Sequence, residues 1–137
     1  MNTVNFNDQE FITTSTYKEF INQNTSYGYL NIRAYAASSA IPIKGLNVVV
    51  SKKLDNSKVI FYSGVTDESG LIEKISLPTP IVSNNDEVVP SSQDYDIEAT
   101  YENQKLTYRV IMYSNISVNQ NINVVPNMRL DGSSYGS

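Results

Sequence analysis

Short segments in which apolar and polar residues alternate dominate the sequence from Tyr29 onward. In residues 29–36 the even-numbered positions are all apolar, whereas Asn31 and Arg33 are polar. Successive side chains of a β-strand point to opposite faces of the sheet, so a period of two is typical of a half-buried strand. The alternation constrains the fold more than any other feature, because it predicts strands and leaves little of the chain for helices.

Similar segments follow at short intervals. Leu46, Val48 and Val50 form the next apolar face, and residues 59–62 are apolar throughout, as expected of a central or contact-making strand. Pro78 and Pro80 are predicted to end a later strand, because proline donates no main-chain hydrogen bond. The remaining predicted strands cover residues 95–101, 106–113 and 116–124, with a hairpin tip at Asn103-Gln104 and with Asn119, Asn121 and Asn123 on an outer face. Seven short strands with frequent turns predict an all-β, seven-stranded antiparallel β-sandwich of the prealbumin-like or Ig-like kind.

The first 28 residues differ from the rest and predict an N-terminal arm with a short helix. Thr16 followed by Glu19 matches a capping box, and the spacing from Tyr17 to Ile21 gives one apolar helical face. A helix this short needs a surface to pack against, which is either its own domain or a neighbouring subunit. The candidate interface residues of the arm are Phe6, Phe11, Ile12, Tyr17, Phe20 and Ile21.

The predicted domain organisation has three parts within 137 residues. The arm covers residues 1–28 and the sandwich residues 29–130. Residues 131–137 are rich in Gly and Ser, a composition that indicates a flexible tail.

The absence of His and Cys excludes most catalytic and metal-binding chemistry. A Ser-His-Asp triad, a cysteine nucleophile, a disulfide and an ordinary zinc site all need one of these residues. Asp96 and Glu98 lie on one face of a predicted strand, about 7 Å apart, but this face is expected to be solvated. We therefore predict a protein that is not an enzyme, with no catalytic residue, no cofactor and no metal site.

Two weaker possibilities stay open from the sequence. Asn84, Asn85, Asp86 and Glu87 offer oxygen ligands for calcium, although their spacing matches no EF-hand and a solvated loop is the favoured interpretation. A Lys–Asn isopeptide bond would draw on Lys44, Lys52 or Lys53 and on Asn121, Asn123 or Asn127. Such a bond needs a buried acid to promote it. No inward-facing acid is evident among these residues except Glu73, so the bond is not expected.

Charge and hydropathy limit the partners. A net charge of −4 disfavours nucleic acid, because phosphate binding needs clustered Lys and Arg. No apolar run approaches the roughly 20 residues of a membrane span. The first residues lack the basic start and apolar stretch of a secretory signal, so no signal peptide is expected.

Two motifs carry a resemblance to a known family. Pro42-Ile43-Lys44-Gly45 leads into the second predicted strand, and Thr66-Asp67-Glu68-Ser69-Gly70 forms a predicted turn in which Asp67 accepts main-chain N–H groups. In these motifs the chain resembles prealbumin-like domains of the carboxypeptidase regulatory type.

The sequence is also similar to the non-catalytic β-domain of spore cortex-lytic enzymes from anaerobic spore formers. The similar segments are Gly28–Tyr35, Ala40–Ile43, Leu77–Pro80, Tyr95–Glu98 and Val125–Met128. Those enzymes carry a separate hydrolase module, which has no counterpart among these 137 residues. The resemblance implies an accessory-domain fold and a spore or cell-envelope setting, without lytic activity.

The function expected from these features is structural. A sandwich has open sheet edges, and an extended arm can complete a neighbour's sheet by strand addition. We expect a self-assembling homo-oligomer or polymer, such as a filament or a coat. The alternative is an accessory module that binds cell-wall peptidoglycan or a lytic-enzyme partner, based on the resemblance and on a predicted tyrosine cluster of Tyr29, Tyr35, Tyr62, Tyr108 and Tyr113.

Overall fold

The computed structural model describes residues 15–37, 40–81 and 91–125. Its elements are α1 (Ser15–Gln23), β1 (Ser26–Ala36), β2 (Ile41–Pro42), β3 (Asn47–Leu54), β4 (Ser57–Val65), β5 (Leu71–Thr79), β6 (Ser92–Tyr101), β7 (Gln104–Tyr113) and β8 (Ser117–Asn123). Several predicted features lie outside the described residues: Phe6, Phe11 and Ile12 of the arm, the segment 84–87, Asn127 and the tail 131–137.

The strands form two sheets. In sheet A, β1 lies between β5 and β8, and the short β2 pairs with the end of β1. In sheet B the strand order is β4-β3-β6-β7, with every pair antiparallel. The predicted all-β two-sheet sandwich with a short N-terminal helix is therefore confirmed.

One strand pair departs from the antiparallel prediction. β1 and β8 are parallel, with a continuous register from Tyr29↔Ser117 to Tyr35↔Asn123. The chain leaves β7 in sheet B through a tight turn, in which Ile116 N donates to Tyr113 O at 3.2 Å, and enters sheet A instead of returning along sheet B. β8 thus meets a strand that is distant in sequence, and its direction follows from the crossing between sheets.

The core lies between the two sheets, on the faces that the alternation predicted. Leu30, Ile32 and Ala34 of β1 are fully buried, whereas Arg33 between them is exposed. Across the core, sheet B contributes Val48, Val50 and Ile97. Burial of each such aliphatic side chain contributes about 1.5–3 kcal/mol, so the period of two also identifies the main source of stability.

The two family-like motifs meet at one corner of the sandwich. The buried Thr66 hydroxyl donates to Ile43 O at 2.6 Å and accepts from Leu46 N at 3.0 Å. Asp67 Oδ1 accepts from Ser69 N at 2.8 Å and from Leu71 N at 2.9 Å, which confirms the predicted turn. Gly70 has a φ of +78°, and a Cβ there would collide with Ala34 O, so the position requires glycine.

Helix α1 packs on its own sandwich. The ladder between β3 and β4 skips Phe61, which is a bulge, and its ring lies between Phe20 of α1 and Tyr95 of β6, with centroid distances of 5.8 and 5.3 Å. Residues 59–62 therefore form a contact-making edge strand and not a central one. Thr16 is the second residue of α1, so its predicted place at the helix cap is wrong.

Two further boundaries differ from the prediction. β1 begins at Ser26, three residues before the predicted start of the sandwich. Pro78 lies inside β5 and pairs with Tyr27, because β5 is an edge strand on which a missing N–H can face outward.

Candidate functional site

In the part of the chain that the structure describes, the outer edge of β8 has no neighbouring strand. Ile116 O accepts from Tyr29 N at 3.0 Å, and Val124 N donates to Tyr35 O at 2.8 Å. In a parallel ladder the residues that face a neighbouring strand alternate with those that face away. The even-numbered residues of β8 therefore bond to β1, and the main-chain N–H and C=O groups of Ser117, Asn119, Asn121 and Asn123 face away from it.

Side chains bond to the main chain along the C-terminal half of this edge. Gln104 bonds both main-chain groups of Val125: its Nε2 donates to Val125 O, and Val125 N donates to its Oε1 at 3.2 Å. The N–H of Asn123 donates to the Tyr108 hydroxyl. Gln120 Nε2 donates to Asn121 O at 3.0 Å. These amide and hydroxyl groups take the place of a neighbouring strand.

The N-terminal half of the edge has no such hydrogen-bond partners within the described ranges. Ser117 and Asn119 pair with β1 on one side, and no other described strand or side chain bonds their outward main-chain groups. Asn119 uses its side chain to accept from Asn31 Nδ2 at 3.0 Å, on the outer face of sheet A. The uncovered stretch therefore runs from Ser117 to the N–H of Asn121.

Sheet A has three long strands, whereas sheet B has four. Sheet B has four long strands, and its last one, β7, reaches β8 through the side chains of Tyr108 and Gln104. The inward-facing apolar side chains along this side are only half-buried, namely Leu106, Tyr108 and Val118. An added strand beside β8 would extend the inner face of sheet A next to Val118.

The sequence of β8 also lacks the devices that protect other edges. Residues 114–125 contain no charged residue and no proline. In contrast, the edge strands β4, β5 and β7 carry Lys58, Glu73 with Lys74, and Arg109, respectively. Charge and proline on an edge discourage the addition of another strand, so β8 is the least protected edge in the described fold.

The predicted interface residues of the arm divide between two environments. Phe20 is 8% exposed and belongs to the core, while Tyr17 and Ile21 are half-buried on the same helix. These three residues thus pack within their own chain. Contact of the arm with a neighbouring subunit stays a prediction and concerns the segment before α1.

The carboxylates considered for catalysis lie on the solvated outer face of sheet B, as predicted. Arg109 Nε donates to Asp96 Oδ1 at 3.0 Å, and Lys58 Nζ lies 3.3 Å from Glu98 Oε2. The strongest pair on this side joins Lys52 and Asp94. Lys52 donates to Asp94 Oδ1 at 2.9 Å and lowers the pKa of Asp94 below its ordinary value.

The tyrosines do not form one cluster. Tyr29 and Tyr35 lie on the outer face of sheet A, beside Lys74 Nζ at 5.8 Å and Arg33 Cζ at 4.7 Å from the ring centroids. Tyr62 and Tyr108 face the core side of sheet B. Tyr62 pairs with the buried Val50, and the residues on either side of Tyr108 in β7 are exposed. Tyr113 ends β7. The predicted grouping is wrong because these residues belong to opposite layers and faces.

Tyr95, which was not singled out, joins the two layers. It is almost fully buried, its hydroxyl donates to Pro78 O in the other sheet, and burial raises its pKa. Alternation marked Tyr95 as inward-facing, but no sequence signal identified its partner.

Other candidate sites are not assembled in the described part of the chain. It contains no group of three carboxylates that would hold a metal ion. Lys52 is held by Asp94, Lys44 is exposed beside Glu68, and Glu73 is exposed in β5, so no isopeptide geometry exists among them. None of its helices is long and apolar enough to cross a membrane.

Comparison with known proteins finds fold-level similarity only. No family model matches the chain, and neither does any curated protein. Among solved structures, Klebsiella pneumoniae 5-hydroxyisourate hydrolase is similar at 12% identity and a TM-score of 0.49, covering 73% of this chain and 91% of that one. A double mutant of shaft pilin SpaA from Lactobacillus rhamnosus GG matches at 13% identity and 0.45, over 74% of this chain and 50% of that one. Transthyretin from Sparus aurata matches at 13% and 0.38, over 69% and 90%.

These similarities concern the two-sheet fold, and no activity is transferred from them. The resemblance to spore cortex-lytic enzymes has no support in these comparisons.

Proposed function

We propose that this protein is a non-catalytic structural subunit that self-assembles into a filament or coat on a spore or cell surface, with its N-terminal arm contacting neighbouring copies. The observation that carries the proposal is the uncovered, uncharged edge of β8 from Ser117 to Asn121. An exposed row of main-chain groups beside half-buried apolar side chains is a template for an added strand.

The opposite side of the sandwich supports this assignment by contrast. There the sheet edges carry a bulge at Phe61, a docked helix, charges and Pro78. Such features restrict strand addition, so among the described edges β8 is the favourable one for an incoming strand.

The fold limits which part of the arm can be donated. Phe20 is part of the core, and β1 begins at Ser26. Deletion of residues 1–28 would therefore damage the sandwich itself. The donated part is confined to residues 1–14, and a deletion that ends there leaves α1 and all eight strands intact.

Light scattering over a wide range of concentration tests the proposal. We expect the full chain to form oligomers or polymers and the chain without residues 1–14 to remain monomeric. Asn121→Pro should also abolish assembly without unfolding the protein, because it removes an N–H that faces away from β1. Asn121→Ala is the matched control, since it keeps that N–H and should still assemble. A full chain that stays monomeric at high concentration would refute self-assembly.

A second candidate function rests on the outer face of sheet A. Tyr29 and Tyr35 lie there with Arg33, Lys74 and a row of asparagines, and tyrosine rings with amide neighbours suit a carbohydrate surface. An accessory module for cell-wall peptidoglycan would use this face. Sedimentation with purified peptidoglycan tests it: binding should be lost in a Tyr29→Ala, Tyr35→Ala double variant, and absence of binding by the unaltered protein rejects it.

A further inference from the structure

We propose that residues 3–7 of one copy pair with Ser117–Asn121 of a second copy as an additional strand of sheet A. This inference rests on the proposed self-assembly and deepens it by naming the donor and the acceptor. The acceptor is the uncovered half of the β8 edge, and the donor is a segment that precedes the described residues.

The donor sequence shares part of the pattern of its acceptor. In Thr3-Val4-Asn5-Phe6-Asn7 two apolar residues alternate with polar ones, and in the acceptor the inward positions are Val118 and the polar Gln120, between outward Asn119 and Asn121. Neither segment contains a charged side chain or a proline. Paired strands share their inner and outer faces, so the two patterns are compatible in one register.

Pairing in that register gives the inward donor side chains defined neighbours. Val4 and Phe6 would face inward, beside the half-buried side chains of Val118 and Gln120. Asn5 and Asn7 face outward and continue the row in which Asn31 Nδ2 donates to Asn119 Oδ1. Burial of Phe6 in this position would remove apolar surface from water and so favour association.

The acceptor and donor have the same length. Beyond Asn121 the edge is taken by Tyr108 at Asn123 and by Gln104 at Val125. The free stretch therefore pairs with five residues. Beyond Asn7 the donor sequence changes, because Asp8 and Glu10 introduce charge.

The position of α1 favours a second copy over the same chain. Helix α1 contacts Phe61 of β4, on the side opposite β8. The lateral separation is about 14 Å across four strands and the separation of the layers about 10 Å, so a path around the body measures at least about 24 Å. Residues 8–14 span at most about 25 Å when fully extended, so pairing within one chain would require this segment to be almost fully extended. The segment of a neighbouring copy has no such restraint.

Engineered cysteines give a direct test, since the natural chain contains none. Asn5 is the centre of the donor and Asn119 the centre of the acceptor, and opposed residues bring their Cβ atoms to about 5 Å, within reach of a disulfide. Full-length Asn5→Cys and Asn119→Cys proteins are mixed, oxidised and separated without reductant. We expect a covalent dimer that contains one copy of each variant.

The control variant is Ser63→Cys, an exposed position on the edge strand β4. Mixed with Asn5→Cys, it should give no dimer above the background of random collisions. An equal yield at Ser63 and Asn119 would overturn the assignment of the edge.

The remaining outcomes separate this inference from the proposed function. Assembly by light scattering without the Asn5–Asn119 dimer refutes the donor and acceptor but leaves self-assembly standing. A double variant, Asn5→Cys with Asn119→Cys, that closes within one monomer on dilution shows that the segment pairs in its own chain. Absence of both the dimer and assembly refutes the two proposals together.

Discussion

The two lateral sides of the sandwich are closed by different means. On the β4–β5 side, Phe61 leaves the ladder as a bulge and Phe20 of α1 packs against it, so apolar rings seal the gap between the layers. On the β7–β8 side, the amide of Gln104 and the hydroxyl of Tyr108 bond to the edge of β8. Loss of the buried aromatic contacts would lower the stability of the fold, whereas the exposed hydrogen bonds can be replaced by bonds to water or to another strand.

The two sides differ in kind. On one side apolar packing covers the strand edge, and on the other, side chains only supply hydrogen bonds to its main-chain groups. The first kind contributes to the core, and the second can be replaced by a partner at little cost. Substitutions on the two sides should therefore differ in their effects on stability and on assembly.

Phe20→Ala should lower the free energy of unfolding by about 3 kcal/mol, because it removes a buried aromatic ring and leaves a cavity beside Phe61. Chemical denaturation followed by circular dichroism measures the loss. Glu19→Ala, at an exposed position of the same helix, is the control and should change stability by no more than about 0.5 kcal/mol. Equal effects of both would mean that α1 does not seal this side.

Tyr95→Phe should lower the free energy of unfolding by about 1.5 kcal/mol. Pro78 O loses its buried hydrogen-bond donor, while the packing against Phe61 remains. The same denaturation experiment measures it. Tyr101→Phe, in the same strand and half-buried, serves for comparison and should cost less. No loss in Tyr95→Phe would argue against a polar link between the layers.

Gln104→Ala should lower the stability of the monomer by only about 0.5 kcal/mol, because water replaces its exposed bonds to Val125. It should leave assembly measured by light scattering unchanged, because Tyr108 still occupies Asn123 between Val125 and the uncovered stretch. Asn103→Ala, in the adjacent turn, should leave assembly unchanged. If Gln104→Ala reduces assembly, the amide is part of the contact and not a substitute for a strand.

Asp94→Asn should have the smallest effect, about 0.5 kcal/mol at neutral pH, because the pair with Lys52 is partly exposed. The folded protein lowers the pKa of Asp94, so the contribution is present above the unfolded value near 4 and disappears as pH falls through the folded value. Denaturation of both proteins from neutral to acid pH should show the difference shrinking below pH 4. A difference that grows with acidification would contradict the assigned ion pair.

The sequence predicted the local features of the fold well. Alternation identified the buried face of β1, and the turn at Asp67 and Gly70 follows from side-chain and backbone preferences within a few residues. Such features depend on neighbours in sequence, so a single chain contains the information for them.

Features that depend on distant pairing were not predicted. The parallel partner of β1, the place of Phe61 outside the ladder and the contact of Tyr108 with Asn123 arise from packing between layers. Gln104 was assigned to a hairpin tip, yet the turn lies at Glu102–Asn103 and Gln104 begins β7. Its role depends on a residue 21 positions away, for which its own neighbourhood gives no signal.

In the proposed assembly the edge of β8 and the N-terminal segment are two different surfaces of one copy. If a copy donates its segment to one neighbour and receives a segment from another, each contact is heterologous. Repetition of such a contact has a direction, so it generates either a closed ring or a linear array whose two ends differ. Growth of that array would add subunits with a single orientation, and a cap on one end would leave the other free to elongate.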